Sequence, residues 1–217
     1  MMTGSTHSAL DRYSEPVLAF VERARKRLAP APPDVGFDAM ARASAGDGEL
    51  SAEIEPLPAA VLVPVVARER PTVLFTQRSA ELPVHAGQVS FPGGKLDAGD
   101  PDPLATALRE AEEEIGLSPG HVDPLGYLDP YLTRTGFRIV PVVALISPAF
   151  EPSLNKAEVD EAFEVPLAFL MSPENHARHS RELGGTRRSF YAMPYGERYI
   201  WGVTAGILRK MYERLYG

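Results

Sequence analysis

At 217 residues and 44% hydrophobic, the chain can bury a full core, and one domain with extensions is the natural count. Its net charge of −7 argues against binding to nucleic-acid backbones, because no basic stripe exists to replace counterions. The absence of cysteine excludes disulfides, thiolate metal sites and a cysteine nucleophile, and fits a reducing cytoplasm. Residues 1–14 read as a polar tail. No apolar run approaches membrane-spanning length and MMTGSTHSAL is no signal peptide, so the expectation is a soluble cytoplasmic protein without a membrane partner.

Ser14 caps a helix with Pro16 at its first position. Val17, Phe20, Val21 and Leu28 give it helical spacing, and Arg23 to Arg27 supply a basic end that complements the helix dipole. Ala29 to Pro33 break it, and residues 34–53 are small, polar and glycine-containing, as in a surface linker. The organisation expected is a tail, helix and linker over residues 1–53, packed on one domain spanning 54–217.

Ala59 to Val66 is a continuous apolar run of strand length, and Thr72 to Thr76 is another, joined by a turn at Arg68 to Pro71. A loop over Ala80 to Ala86 and a short strand from Gln88 to Phe91 lead into the glycine turn Gly93-Gly94. Further strands are predicted at His121–Leu128, at the β-branched Phe137–Ile146, and at Ala162–Val165 after a loop over Pro148–Lys156. Residues 172–186 look polar and mobile. Ser189–Met193 and Arg198–Trp201 form a hairpin around Pro194-Tyr195-Gly196, and an amphipathic helix runs from about Val203 to Leu215. Strands mixed irregularly with few helices predict an α/β layered sandwich with a mixed sheet.

Between the glycine turn and the next strand lies an acidic helix. Asp102 is a good N-cap, Pro103 suits the first helical position, and Gly116 can take the left-handed conformation that ends a helix. Leu104, Leu108, Ala111 and Ile115 give one apolar stripe. Glu110, Glu113 and Glu114, at i, i+3 and i+4, share a second face rotated away from it. Three clustered carboxylates repel one another, and a hard divalent cation such as Mg²⁺ relieves that repulsion while accepting phosphate oxygens from a substrate. Arg109, one turn before Glu113, is placed to orient that carboxylate. The alternative is an ordinary solvated acidic face.

Arg109-Glu110-Ala111-Glu112-Glu113-Glu114-Ile115-Gly116-Leu117 resembles the second half of the Nudix box, and Gly94 resembles the glycine that opens it. Two departures bear on loop geometry: Asp100 stands for the usual upstream glutamate, and eight residues rather than seven separate it from Arg109. Upstream, Leu74-Phe75-Thr76-Gln77-Arg78-Ser79, then Gly87, then Phe91-Pro92-Gly93-Gly94 resembles the segment marking the coenzyme A pyrophosphatase branch, with matching spacing. Phe75 replaces a leucine, and Pro83 stands where the pattern has a second arginine. The resemblance covers roughly residues 59 to 167, with a weaker echo in Ile200-Trp201-Gly202.

The resemblance implies an α/β/α sandwich around a mixed sheet and a hydrolase of small-molecule diphosphates, acting as monomer or homodimer. Glu110, Glu113 and Glu114 would hold Mg²⁺ or Mn²⁺. Arg109, Glu113, Glu158 and Glu161 are the candidate catalytic residues, with Asp160 and Glu164 weaker choices. Arg78, whose guanidinium can fork onto a phosphate, is a candidate substrate contact, together with His85, Gly93, Gly94 and Lys95. Gly94-Lys95 lacks the partners of a P-loop, and no Gly-x-Ser-x-Gly supports a serine triad. The function expected is cleavage of coenzyme A or its thioesters to 3′,5′-ADP and a 4′-phosphopantetheine product. The alternatives are a pyrophosphatase for another nucleoside diphosphate derivative, such as ADP-ribose or a dinucleotide, and a ligand-sensing module that has lost the chemistry.

Overall fold

The computed structural model describes residues 13–33, 56–183 and 186–217, with residues 181–183 and 186–188 described as backbone alone. The predicted linker at 34–53 and nearly all of the polar tail lie outside the described residues. An eight-stranded mixed sheet forms the centre. Its main path runs β3 (Val89–Ser90), β2 (Thr72–Arg78), β1 (Leu57–Val66), β7 (Phe137–Ile146), β5 (Val122–Tyr127). Strands β4 (Gly93–Lys95), β6 (Tyr131–Leu132) and β8 (Val159–Pro166) pair with β1, β7 and β2 respectively.

β1 and β7 are the parallel pair at the middle, in register from Leu57–Phe137 to Val66–Ile146. Their near-continuous apolar sequences follow from burial on both faces. Alternation along β1 sends Ala60, Leu62 and Val66 to one side and Val63 and Val65 to the other. The first side packs against helix α2 (Pro103–Ile115) through Ala107, Ala111 and Ile115. The second packs against α1 (Glu15–Arg27) and α4 (Gly202–Leu215), through Val17, Phe20, Leu208 and Met211 among others. The result is the expected α/β/α sandwich.

Two prolines sit inside these central strands, where a missing N–H ordinarily breaks the ladder. Pro64 falls between the stretch of β1 that pairs with β4 (59–61) and the stretch that pairs with β2 (65–66). Pro141 falls between the stretches of β7 that pair with β6 and with β5. Each therefore occupies a gap in the ladder on its outer side.

Several sequence expectations change. Residues 172–186 hold a strand, β9 (Ala177–Leu183), which joins β10 (Thr186–Tyr195) and β11 (Arg198–Trp201) in a second, three-stranded antiparallel sheet. Its polar composition hides it, because an exposed strand needs only backbone pairing and no apolar alternation. The hairpin turn at Gly196 is as expected, with φ 57°. Gly93-Gly94 is not a free turn but the start of β4, paired with Ala60 and Val61. A short helix α3 (Leu167–Leu170) follows β8. Ser14 stands at the N-cap of α1, yet its hydroxyl donates to the Glu69 carbonyl (2.8 Å) and joins the helix to the β1–β2 turn.

Candidate active site

Helix α2 carries most of the site, and its ends are fixed by local chemistry. The Asp102 carboxylate accepts the Ala105 N–H at 2.8 Å. Gly116 takes the left-handed conformation (φ 69°), and the N–H groups of Gly116 and Leu117 close on the carbonyls of Glu112 and Ala111. The carbonyls of Glu114 and Ile115 are satisfied by Asn155 N–H (3.0 Å) and Ser153 N–H (2.9 Å) of the loop between β7 and β8. That loop returns at once to β8, and it places Glu158 beside the helix. Asn155 also donates its side-chain amide to Glu158 Oε1 at 3.1 Å. Sequence reading missed Asn155; its spacing of three from Glu158, between two predicted strands, is the local signal.

The face that α2 buries is rotated from the expected one. Leu104 and Leu108 are half-buried, while Pro103, Thr106, Ala107, Ala111, Glu114 and Ile115 are buried. The stripe is centred on small residues because the helix lies close against β1 and β4. Gly94 explains the fit: a Cβ there would lie 2.5 Å from the Glu110 carboxyl group. A Cβ on Gly93 would press into the Ala60 carbonyl oxygen and lie 2.6 Å from Val61 Cα. The close approach these glycines allow is to Glu110 and to β1. Glu114 consequently belongs to the buried face, its side chain only 3% exposed, against 17% for Glu110 and 55% for Glu113.

Electrostatics follow from that placement. Burial pushes the Glu114 carboxyl up to about 8; the Arg78 charge and the Gly93 N–H oppose the rise, and Glu110 and Glu158 add to it. Burial also raises Glu110, with Arg109 opposing and Glu113 and Glu158 reinforcing. These couplings bring Glu158 into the group. Arg78 Nη1 stands 4.0 Å from Glu114 Oε1. Among the described residues, Arg78 Nε and Glu114 Oε2 are buried without a hydrogen-bond partner.

Arg109 ties the acidic loop to the helix. It forks onto Asp100 (Nε–Oδ1 3.2 Å, Nη2–Oδ2 2.9 Å), donates to Glu110 Oε1 at 2.8 Å and Glu113 Oε2 at 3.4 Å, and reaches the Lys95 carbonyl at 3.2 Å. Asp100 also accepts from Thr106 Oγ1 (2.8 Å) and the Asp97 N–H (3.1 Å). The Arg109 fork, with these further donors, holds its carboxyl well below the usual carboxylate range, and Asp100 foremost raises Arg109 in return. The eight-residue spacing is accommodated by the turn that Asp97 and Asp100 close.

The other candidates divide. Glu161 is held away from this cluster in a fork with Arg198, at 2.5 and 2.7 Å. Asp160 accepts the Ala80 N–H at 3.0 Å, and Glu164 pairs with Arg68 (2.6 Å) and Thr72. His85 is exposed on the β2–β3 loop in a left-handed conformation (φ 57°), its Nδ1 3.0 Å from Gln88 Oε1. Lys95 is exposed, its ammonium 5.7 Å from the Phe137 ring centre. Among the described residues no three His, Asp or Glu side chains already converge as a metal-binding group. Arg109 instead spans Glu110 and Glu113.

Residues 56–184 match the NUDIX domain family. The chain is 44% identical over 154 residues to an uncharacterized Nudix hydrolase, NudL, of Citrobacter koseri, covering 70% of this chain and 80% of that protein. It is 42% identical, with the same coverage, to the NudL protein of Escherichia coli K12. The fold is similar to a crystal structure from Deinococcus radiodurans, with a TM-score of 0.50 at 14% identity over 78% of this chain and 88% of that one. No helix among the described residues is long and apolar enough to cross a membrane. With the family matched over more than half its length and relatives above 40% identity over most of it, this chain belongs to the Nudix hydrolase family.

Proposed function

We propose that this protein uses Mg²⁺ or Mn²⁺ to hydrolyse the diphosphate linkage of coenzyme A or its thioesters, giving 3′,5′-ADP and 4′-phosphopantetheine or its acyl derivative. The observation that carries the diphosphate reading is Arg78 facing Glu114 at 4.0 Å, each with a buried polar atom left without a partner. Buried polar atoms are ordinarily paired, so an unpaired cation edge beside an unpaired carboxylate oxygen fits a site whose remaining partners are an anion and a metal ion. The donors are all oxygen and the local charge is in surplus, which suits a hard divalent cation held by Glu110, Glu113 and Glu114. When bound, that ion supplies charge neutralisation on phosphate oxygens and activates water.

The chain's own residues supply the rest. Arg78 forks onto a phosphate oxygen, and Arg109 fixes the Glu110 and Glu113 carboxylates while itself anchored on Asp100. Glu158, oriented by the Asn155 amide, accepts the proton of the attacking water. A new O–P bond forms as the bridging P–O bond breaks, and the electron pair leaves with the departing phosphate. His85 and Lys95, both exposed, serve the anionic substrate at its periphery.

The coenzyme A assignment rests on the spacing of Leu74-Phe75-Thr76-Gln77-Arg78-Ser79, Gly87 and Phe91-Pro92-Gly93-Gly94. Pro83, exposed where an arginine is expected, favours a second reading in which another nucleoside diphosphate derivative is the substrate. A panel of coenzyme A, ADP-ribose and a dinucleoside polyphosphate, assayed with Mg²⁺, separates the two. Coenzyme A is expected to show the highest kcat/KM; a wide margin in favour of either other compound overturns the assignment.

A further inference from the structure

Arg198 lies on β11, beyond the matched residues 56–184, yet its guanidinium reaches the central sheet. Nη1 donates to Gln77 Oε1 at 3.0 Å and to Glu161 Oε2 at 2.7 Å, Nη2 donates to Glu161 Oε1 at 2.5 Å, and the group stacks 4.5 Å from the centre of the Phe163 ring. Gln77 and Glu161 are cross-strand neighbours. They are also the last regular pair of the β2–β8 ladder, because the next partner of Arg78 is Val159. Asp160 is the extra residue of this bulge, and its carboxylate accepts the Ala80 N–H.

Asp160 lengthens β8, whereas β2 keeps its alternation across this point: Arg78 stands on the α2 side with Leu74 and ends 4.0 Å from Glu114, while Gln77 stands on the opposite side with Phe75. The second sheet is docked by other contacts as well: Met193 and Ile200 are fully buried beneath it, and Thr204 Oγ1 donates to the Val89 carbonyl at 3.0 Å. The three-way contact of Arg198 adds to these, and it falls on the pair that precedes the bulge.

We propose that Arg198 is a positioning residue for the reaction: by clamping the Gln77–Glu161 pair it fixes the end of β2, the strand whose next residue, Arg78, faces the substrate's diphosphate. This rests on the reading of Arg78 as a phosphate contact. It gives the C-terminal sheet a part in substrate binding, and it gives Glu161 a role as the anchor of the clamp rather than as a base.

The test uses the full chain and two readouts. The first is the ¹H–¹⁵Nε resonance of Arg78, identified by its loss in Arg78→Lys and protected from exchange by burial. In Arg198→Gln it is expected to shift or broaden, with Tm unchanged to within about 3 °C. The second is kinetic, with coenzyme A and Mg²⁺. Arg198→Gln and Glu161→Gln are each expected to raise KM about tenfold with kcat within threefold of the parent, Arg198→Lys to recover part of the loss, and Arg198→Gln to add nothing in an Arg78→Gln background. An Arg78 resonance unmoved in Arg198→Gln overturns the proposal, as does an unchanged KM or a loss that persists in full without Arg78. Failure of the parent protein to cleave coenzyme A counts against the proposed function instead, and the resonance still decides the role of Arg198. If Arg198→Gln does not fold, Glu161→Gln removes the other half of the fork and carries the same two readouts.

Discussion

Glu114 occupies a position where charge is costly, and its surroundings determine what it does. A carboxyl that ionises near pH 4.5 when unfolded is held protonated up to about 8 in the metal-free fold. The folded state therefore binds more protons across that window, and stability is fullest below the unfolded value and lost as pH rises through the folded one. The penalty is on the order of 5 kcal/mol. Metal-free protein should accordingly lose melting temperature between pH 5 and pH 9, and Glu114→Gln, which has no charge to lose, should flatten that slope. The same variant is expected to lower turnover by about a thousandfold while melting no lower than the parent at pH 8. Unchanged turnover would favour a module that binds ligand without chemistry.

The two adjacent glycines make contrasting demands at the same scale. In Gly94→Ala the new methyl meets only the end of the Glu110 side chain, which can swing aside. The expected result is a stable protein, within about 1 kcal/mol, with activity reduced ten- to a hundredfold. In Gly93→Ala the methyl meets the backbone of β1, and the expected loss is about 3 kcal/mol or more. Chemical denaturation and steady-state kinetics on the pair distinguish a lost site from a lost strand.

Among the elements, α2 was the most legible and also the most instructive. Its cap at Asp102, its stop at Gly116 and its length follow from local chemistry, which acts the same in any tertiary setting. Which face it buries does not, because that depends on the small surface offered by Gly94 and β1. Leu104 and Leu108 read as core and are half-buried, while Glu114, read on an acidic face rotated away from that stripe, is buried. Strand β9 was illegible for the opposite reason: it is held by backbone pairing with β10, which leaves no trace in hydropathy. Glu158 and Glu161 were indistinguishable as sequence, three residues apart in one acidic stretch. The bulge at Arg78 and the reach of Arg198 separate them.

The C-terminal helix offers a pH-dependent test of its own docking. His176 is buried, with Nε2 donating to the Leu170 carbonyl at 2.7 Å and Nδ1 3.4 Å from Arg209 Nη1. Burial, aided by the Arg209 charge and opposed by the Leu170 carbonyl, Glu174 and Glu213, keeps its affinity for protons below normal. The unfolded chain then takes up the proton first, so stability falls as pH drops below about 6.5 toward the folded value. The melting temperature should decline from pH 7 to pH 5, and His176→Gln, which keeps a donor for Leu170 but cannot become charged there, should show a smaller decline.

At the scale of the whole molecule, the sheet's two covered faces divide the labour. The α1–α4 side is apolar and structural, whereas the α2 side places Arg78, Glu110, Glu114 and Glu158 at one end of the central strands. The family and the layer architecture were readable because the box and the paired apolar strands are local patterns. The contacts of the C-terminal sheet with the Arg78 end of the central sheet were not, since Arg198 and Gln77 stand 121 residues apart. Under the proposed function, substrate choice belongs to this scale too, because surfaces from several elements would surround one diphosphate. The central claim is that this carboxylate and arginine cluster directs water to that linkage. Mass analysis of coenzyme A products formed in ¹⁸O-water with Mg²⁺ tests it most directly. The account predicts 3′,5′-ADP and 4′-phosphopantetheine, with one ¹⁸O in the phosphate of a single product, formed about a thousandfold more slowly by Glu114→Gln. Intact coenzyme A, or label released in free inorganic phosphate, would contradict it.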